Sequence, residues 1–131
     1  MPKIDRHLVS EEFRKNVFKQ LEIVSKDRHD NSYGPAEESF NRIAIMWESY
    51  WKCKGLDVPH TPADVGMLMM LFKMTREMYK HDFENILDGD NYFSFAGGFN
   101  AADALEKRMA KEEIFDCEDF HEETFEELGA K

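Results

Sequence analysis

The run VGMLMMLFKM, residues 65 to 74, limits what this chain can become more than any other stretch. It is apolar on nearly every side of a helix, so the helix it forms is expected to be buried on most sides. The residues just ahead of it are a helix start. Thr61 is placed to cap, Pro62 to take the first helical position, and Asp64 to close something like a capping box. Strand signals are almost absent: β-branched residues are sparse and nothing alternates convincingly. The chain therefore reads as all-α.

The same spacing recurs along the sequence. In SEEFRKNVFKQLEIVSKD, Phe13, Val17, Leu21 and Val24 share one stripe, with Ser10 as the expected cap. RHDNSYGPAEE carries turn chemistry, and Pro35 is expected to open a second helix over about 35–52. The core face of that helix is Phe40, Ile43, Ala44, Trp47 and Trp51, and KGLDVPHTP ends it. A loop is expected from His81 to Gly89, then a helix from Asp90 to about Ala110. Residues 111 to 131 hold nine acids against two lysines. Ile114, Phe115, Phe120, Phe125 and Leu128 give that segment an apolar side, so a partly docked helix is expected there, and with it self-association. At 131 residues the chain reads as one domain, with a core over about 27–110 and an acidic C-terminal helix or tail.

A net charge of −10 argues against a duplex nucleic-acid partner, whose phosphates it would repel. It leaves room for a small anion held by a few local basic residues. Cys53 and Cys117 lack metal-type spacing and read as free thiols of a reducing compartment. The charged start MPKIDRHLVSEEF has no apolar stretch of the kind a secretory leader needs, and no run approaches membrane-spanning length. A cytoplasmic protein with no membrane partner is expected. The five histidines are scattered, no nucleophile stands out, and no P-loop is present.

What remains is carboxylates, hard oxygen ligands suited to Mg²⁺ or Mn²⁺. Glu37, Asn41 and Glu48 fall on one side of the second helix, with Glu38 beside them. They read either as ligands or as a solvated face complementing the helix dipole. Lys73 and Arg76 follow the apolar run and either hold phosphate oxygens or offset the C-terminal dipole. In DGDNYFSFAGG, Asp88 and Asp90 come just ahead of the expected helix and read as metal ligands or as N-caps. Tyr92 reads as core or as a stacking surface. Gly97 and Gly98 read as a place where another backbone or a ligand comes close.

Taken together, DRHDNSYG…EESFNRIAIMWESYW, TPADVGMLMMLFKMTRE and DGDNYFSFAGGFNAADALE resemble a small phage domain family. Its pattern is R…YG…NF..IA..W, then DVA.MM..LK.AR, then DNY.D.AGY. The matches span roughly residues 27 to 106 and include Tyr33-Gly34, Phe40, Ile43-Ala44, Trp47, Asp64-Val65, Met69-Met70, Lys73, Arg76, Asp90-Asn91-Tyr92 and Ala96-Gly97. That family is similar to the MazG-like, all-α nucleoside triphosphate pyrophosphohydrolases. The resemblance implies a four-helix bundle of that type, with an extra N-terminal helix and the acidic C-terminal helix. It implies cleavage of (d)NTPs to a monophosphate and pyrophosphate, in a dimer or tetramer, in the cytoplasm of an infected host cell. It assigns Mg²⁺ (or Mn²⁺) to Glu37, Glu38, Asp88 and Asp90, with Glu38 and Asp90 as the catalytic carboxylates. Lys73, Arg76, Asn91, Tyr92 and Ser94 fall to the substrate.

The departures bear on activity. Ser94 stands where the pattern has its second Asp, Ser39 where it has Asn, and Gly98 where it has Tyr. The paired glutamates typical of MazG-like enzymes appear only as Glu38 and Asn41. A neutral hydroxyl is a weaker Mg²⁺ ligand than a carboxylate. Three readings follow: a working pyrophosphohydrolase, a protein that binds a nucleotide or nucleotide signal without cleaving it, and an oligomeric interaction module.

Overall fold

The computed structural model describes residues 2–29 and 35–112, and over them the chain is all-α with no strand. Its helices are α1 (Arg6–His29), α2 (Ala36–Cys53), α3 (Pro62–Tyr79) and α4 (Phe83–Lys111). That is four helices with the N-terminal one included, not four plus an extra. The acidic helix expected beyond residue 112, and Cys117 with it, lie outside the described residues.

Helices α2, α3 and α4 make the core. Phe40, Ala44 and Val65 are buried at its centre, with Ile43, Trp47, Met69, Tyr92, Phe95 and Phe99 packed around them. The Phe40 ring lies 6.2 Å from Tyr92, 5.5 Å from Phe95 and 5.6 Å from Phe99. Tilted and edge-on aromatic pairs at these separations add about 0.5–1.5 kcal/mol each beyond their burial. The expected core face of α2 is therefore observed at Phe40, Ile43, Ala44 and Trp47, while Trp51 is half-buried beside Tyr50. So is the stripe on α1, where Val17 is buried and Phe13, Leu21 and Val24 are half-buried. Helix α1 lies against α4, with the Phe13 ring edge-on to Phe83 at 5.5 Å.

The ends of the elements follow local chemistry. Helix α1 starts before Ser10: the Leu8 N–H donates to Asp5 Oδ1 at 3.2 Å, so Asp5 does the capping expected of Ser10. Pro35 is the residue before α2 and not its first helical one, and the Ser39 N–H bonds its carbonyl. At the far end Gly55 takes φ +79°, its N–H bonds the Lys52 carbonyl, and the Leu56 N–H bonds that of Trp51. That pairing is a Schellman cap, and the left-handed position is why KGL ends the helix. The capping box on α3 is present as expected, with Thr61 N–H to Asp64 Oδ2 at 2.8 Å and Asp64 N–H to Thr61 Oγ1 at 3.2 Å.

Two further expectations fail. No loop runs from His81 to Gly89. Helix α4 begins at Phe83, because Asp82 caps it by accepting the Glu84 N–H at 3.0 Å. Glu77 fixes the turn by accepting from the Asp82 N–H at 2.9 Å and bonding the His81 ring at 2.6 Å. These bonds, His81 first and Asp82 next, hold the Glu77 carboxyl below the ordinary glutamate range. Neither Asp88 nor Asp90 is therefore a cap or near a helix start. The second failure concerns α3, which is not buried on most sides: Leu68, Leu71, Phe72, Met74, Met78 and Tyr79 are exposed.

Candidate functional site

The α3–α4 contact is the most extensive among the described helices, and Gly66 is a point of close approach in it. A Cβ built there would lie 2.9 Å from the Tyr92 carbonyl oxygen and 3.0 Å from the Ala96 Cβ. One turn and more along the same side of α3 stand Lys73 and then Glu77, at the i, i+7, i+11 spacing of one helix face. Lys73 reaches across to α4, where its Nζ sits 2.9 Å from Asp88 Oδ2. Lys73 has only 14 % of its side chain exposed and Asp88 30 %, so water screens this pair far less than a surface one. Gly89, also buried, faces the Lys73 stem, and a Cβ built there would make an ordinary contact with the Lys73 Cβ at 3.6 Å.

Asn91 follows Asp88 by three residues and so shares its side of α4. It is 5 % exposed, and its Nδ2 finds no hydrogen-bond partner among the described residues. An unpartnered buried amide costs about 1–3 kcal/mol, so it calls for an acceptor that is not part of the described chain. Lys73 and Asp88, with Asn91 on the same side of α4, thus put polar groups into the α3–α4 contact, as Glu77 and the buried Asn85 do nearer the turn, where Asn85 Nδ2 donates to Glu77 Oε1 at 3.4 Å. An ammonium has three donors, and Asp88 Oδ2 engages one of them. What Lys73 and Asn91 can do is bind an oxyanion: a cation and an amide donor are both at hand.

The other candidate residues do not gather there. Asp90 is two residues past Asp88 and therefore about 200° around the helix from it. It is exposed, yet desolvation by the surrounding chain raises its carboxyl above the ordinary aspartate range. Ser94 lies one turn on, and its Oγ donates to the Asn91 carbonyl at 2.9 Å. Glu37 and Glu38 are exposed in the first turn of α2, where they complement the helix dipole. Glu48 is half-buried and accepts the His60 N–H at 2.8 Å, which pins the α2–α3 connection. Asp64 is taken up in its cap. Arg76 is exposed, with its guanidinium carbon 5.9 Å from the centre of the Phe72 ring. It parts company with Lys73. The Tyr92 ring belongs to the core.

Among the described residues, no three or more His, Cys, Asp or Glu side chains are arranged to hold a metal ion. Glu37, Glu38, Asp88 and Asp90 are not gathered into such a group within one chain. Nor are Gly97 and Gly98 points of close approach among the described residues, since a Cβ at either would meet none of them within 4 Å. The sequence reading missed Gly66 in that role. Its recurrence with Lys73 and Glu77 along one face was the available signal.

No helix of the described residues is long and apolar enough to cross a membrane. No solved structure matches the chain. The chain is 35 % identical over 92 residues to the Gene 55 protein of Mycobacterium phage L5, covering 70 % of this chain and 51 % of that protein. It thus spans about half the length of the curated relative it matches. The family described as Domain of unknown function (DUF6378) matches residues 17–100, which take in α2, α3 and the polar groups on α4, and the chain belongs to that family.

Proposed function

We propose that this chain binds a nucleotide, or a nucleotide-derived anion, with Lys73 and Asn91 as donors to its phosphate oxygens. The observation that carries the reading is the buried, unpartnered Asn91 Nδ2 on the same side of α4 as the Lys73–Asp88 pair. The MazG-like resemblance supplies the ligand class, and a phage relative fits a role in nucleotide pools or in sequestering a host nucleotide signal. Binding needs fewer groups than cleavage, which would call on a metal set as well.

Pyrophosphohydrolysis of (d)NTPs is the second reading, favoured by the retention of Glu37, Glu38, Asp88 and Asp90. Ser94 and the divergence of Asp88 from Asp90 weigh against it. Mg²⁺ or Mn²⁺, when bound, would supply charge neutralisation at the phosphates.

Incubating the protein with a panel of nucleoside triphosphates and Mg²⁺ or Mn²⁺, then resolving products and retained ligand by chromatography, separates the two. Retained intact nucleotide is the expected result. Monophosphate with pyrophosphate would establish the enzyme instead. Asn91→Ala tests the contact itself. Its Nδ2 bonds nothing among the described residues, so folding should suffer little while affinity falls about tenfold, the worth of one good hydrogen bond. Unchanged affinity would remove Asn91 from the site.

A further inference from the structure

Lys73 and Asp88 are bound to each other, yet they are not equally held. The Lys73 stem lies against Gly89 in the α3–α4 contact, and 14 % of its side chain is exposed. Asp88 keeps 30 %, so its carboxylate has more water beside it than the ammonium has. An aspartate inside a helix has two common χ1 wells, so a second position is open to the carboxylate. Where one partner leaves the other, Asp88 is the one that can move.

The neighbours decide what can displace it. Asn91 is buried, and its Nδ2 lacks an acceptor among the described residues. Along α4 it stands between Gly89, which faces Lys73, and Tyr92, whose carbonyl faces Gly66. Three residues separate it from Asp88, an axial rise of about 4.5 Å. An oxyanion that accepts from both the Lys73 ammonium and the Asn91 amide therefore comes close to the Asp88 carboxylate. Two anions at such a separation repel strongly when they are only partly in water. The acids one turn away do not take over the ammonium. Glu77, next along α3, is engaged by the Asp82 N–H and the His81 ring, and Glu84, one turn before Asp88, is exposed. Asp88 and a phosphate group are thus alternatives for one cation.

We infer that Asp88 is the internal anion of this site: it neutralises Lys73 until phosphate oxygens bind, and they displace it. The inference rests on the nucleotide reading and adds its regulation. A singly charged ion offers Lys73 no more charge than the carboxylate does, and it engages one donor. A phosphate group brings several oxygens, which reach the ammonium and the Asn91 amide together. Asp88 thus bars the site to simple anions and weakens phosphate binding by what it takes to open the pair. This is opposite in sign to the role that the MazG-like resemblance gives Asp88. A metal ligand helps a nucleotide to bind, whereas an internal anion opposes it.

Titration calorimetry of the full chain with inorganic tripolyphosphate, in EDTA and again in Mg²⁺, reads that sign. Asp88→Asn keeps the size and an oxygen for Lys73 but loses the charge, and it should bind about 30-fold more tightly than the parent. Asp88→Glu keeps the charge and should stay within about threefold of the parent. Adding Asn91→Ala to Asp88→Asn should take back about tenfold, because the same phosphate uses that amide. Circular dichroism checks that each variant is folded, and Asp88→Ala, with the same gain expected, replaces Asp88→Asn where that variant is not. An affinity equal to or below the parent's in the uncharged variants, with Asn91→Ala still weakening the parent, overturns the inference and leaves the nucleotide reading standing. Weaker binding by the uncharged variants in Mg²⁺ also overturns it, since Asp88 would then serve the phosphates through the cation. Absence of binding by the parent and by every variant overturns both.

Discussion

Helix α4 has two sides that look alike in the sequence and differ in every physical respect. The side bearing Asp88, Tyr92 and Ala96 is pressed against α3: Asp88 is neutralised by Lys73, and the Tyr92 carbonyl and Ala96 touch Gly66. The side bearing Asp90, Ser94 and Gly97 is exposed, and nothing comes within 4 Å of where a Gly97 side chain would begin. One side is fixed by contact and the other is free to change. Two acids separated by a single glycine can thus belong to different environments, because neighbours but one on a helix point to nearly opposite sides.

The largest expected effect tests the fixed side. Gly66→Val forces a branched side chain into the Tyr92 backbone, which cannot rotate away, and should cost about 3 kcal/mol in denaturant unfolding. Gly97→Ala is its counterpart. The added methyl meets nothing and replaces a poor helix former, so stability should rise by about 0.5–1 kcal/mol. Equal losses at both would mean that the two sides are packed alike, and the comparison would fail.

Lys73→Ala comes next. Removing one partner of a fully buried ion pair costs about 3–5 kcal/mol, because the other charge is stranded. Asp88 keeps some access to water, so about 2 kcal/mol is expected here, with Lys73→Ala plus Asp88→Ala recovering part of it. If the double variant were worse than the sum of the singles, the pair would not be what joins α3 to α4.

A smaller effect belongs to the exposed side and is read by pH. The folded-state pKa of Asp90 lies above its unfolded value, so the folded chain holds that proton more tightly. Stability from this group is present below the ordinary aspartate range and is lost as pH rises through the raised value. Asp90→Asn removes the slope. It should be more stable than the parent at neutral pH, by no more than about 0.5 kcal/mol, and converge with it in acid. Glu77, whose pKa is lowered, contributes in the opposite sense, above the unfolded glutamate value, and is common to both proteins. A parent and variant that stay parallel at all pH would show Asp90 to be no different from any surface acid.

Periodicity made the core legible: Phe40, Ala44 and Val65 are where the spacing puts them, and so is the Thr61–Asp64 cap. The start of α4 was hidden by the stretch around Gly89, which has the composition of a loop but lies inside the helix and is buried against the Lys73 stem. No propensity records such a contact, because it depends on which helix lies opposite. The phase of the candidate carboxylates was hidden for the same reason. Asp88 and Asp90 look paired in a linear motif, and only the phase of a continuous helix separates them.

That phase makes Ser94 the most informative position on the free side. Residues 90 and 94 are one turn apart, so Ser94→Asp sets two carboxylates on one side of α4. Without metal the repulsion should cost about 0.2–0.5 kcal/mol, and the serine bond to the Asn91 carbonyl is lost with it. Millimolar Mg²⁺ should then reverse the loss in the variant and leave the parent unmoved, since a hard cation takes up paired carboxylates and not a lone one beside a hydroxyl. Thermal melts with Mg²⁺ and with EDTA measure both terms. A parent that Mg²⁺ stabilises as much as the variant would mean that the cation binds elsewhere, and that Ser94 is not where a ligand went missing. A variant that gains Mg²⁺-dependent stability without gaining phosphohydrolysis would separate the metal from the chemistry, leaving the Lys73–Asn91 side of the helix to hold the nucleotide alone.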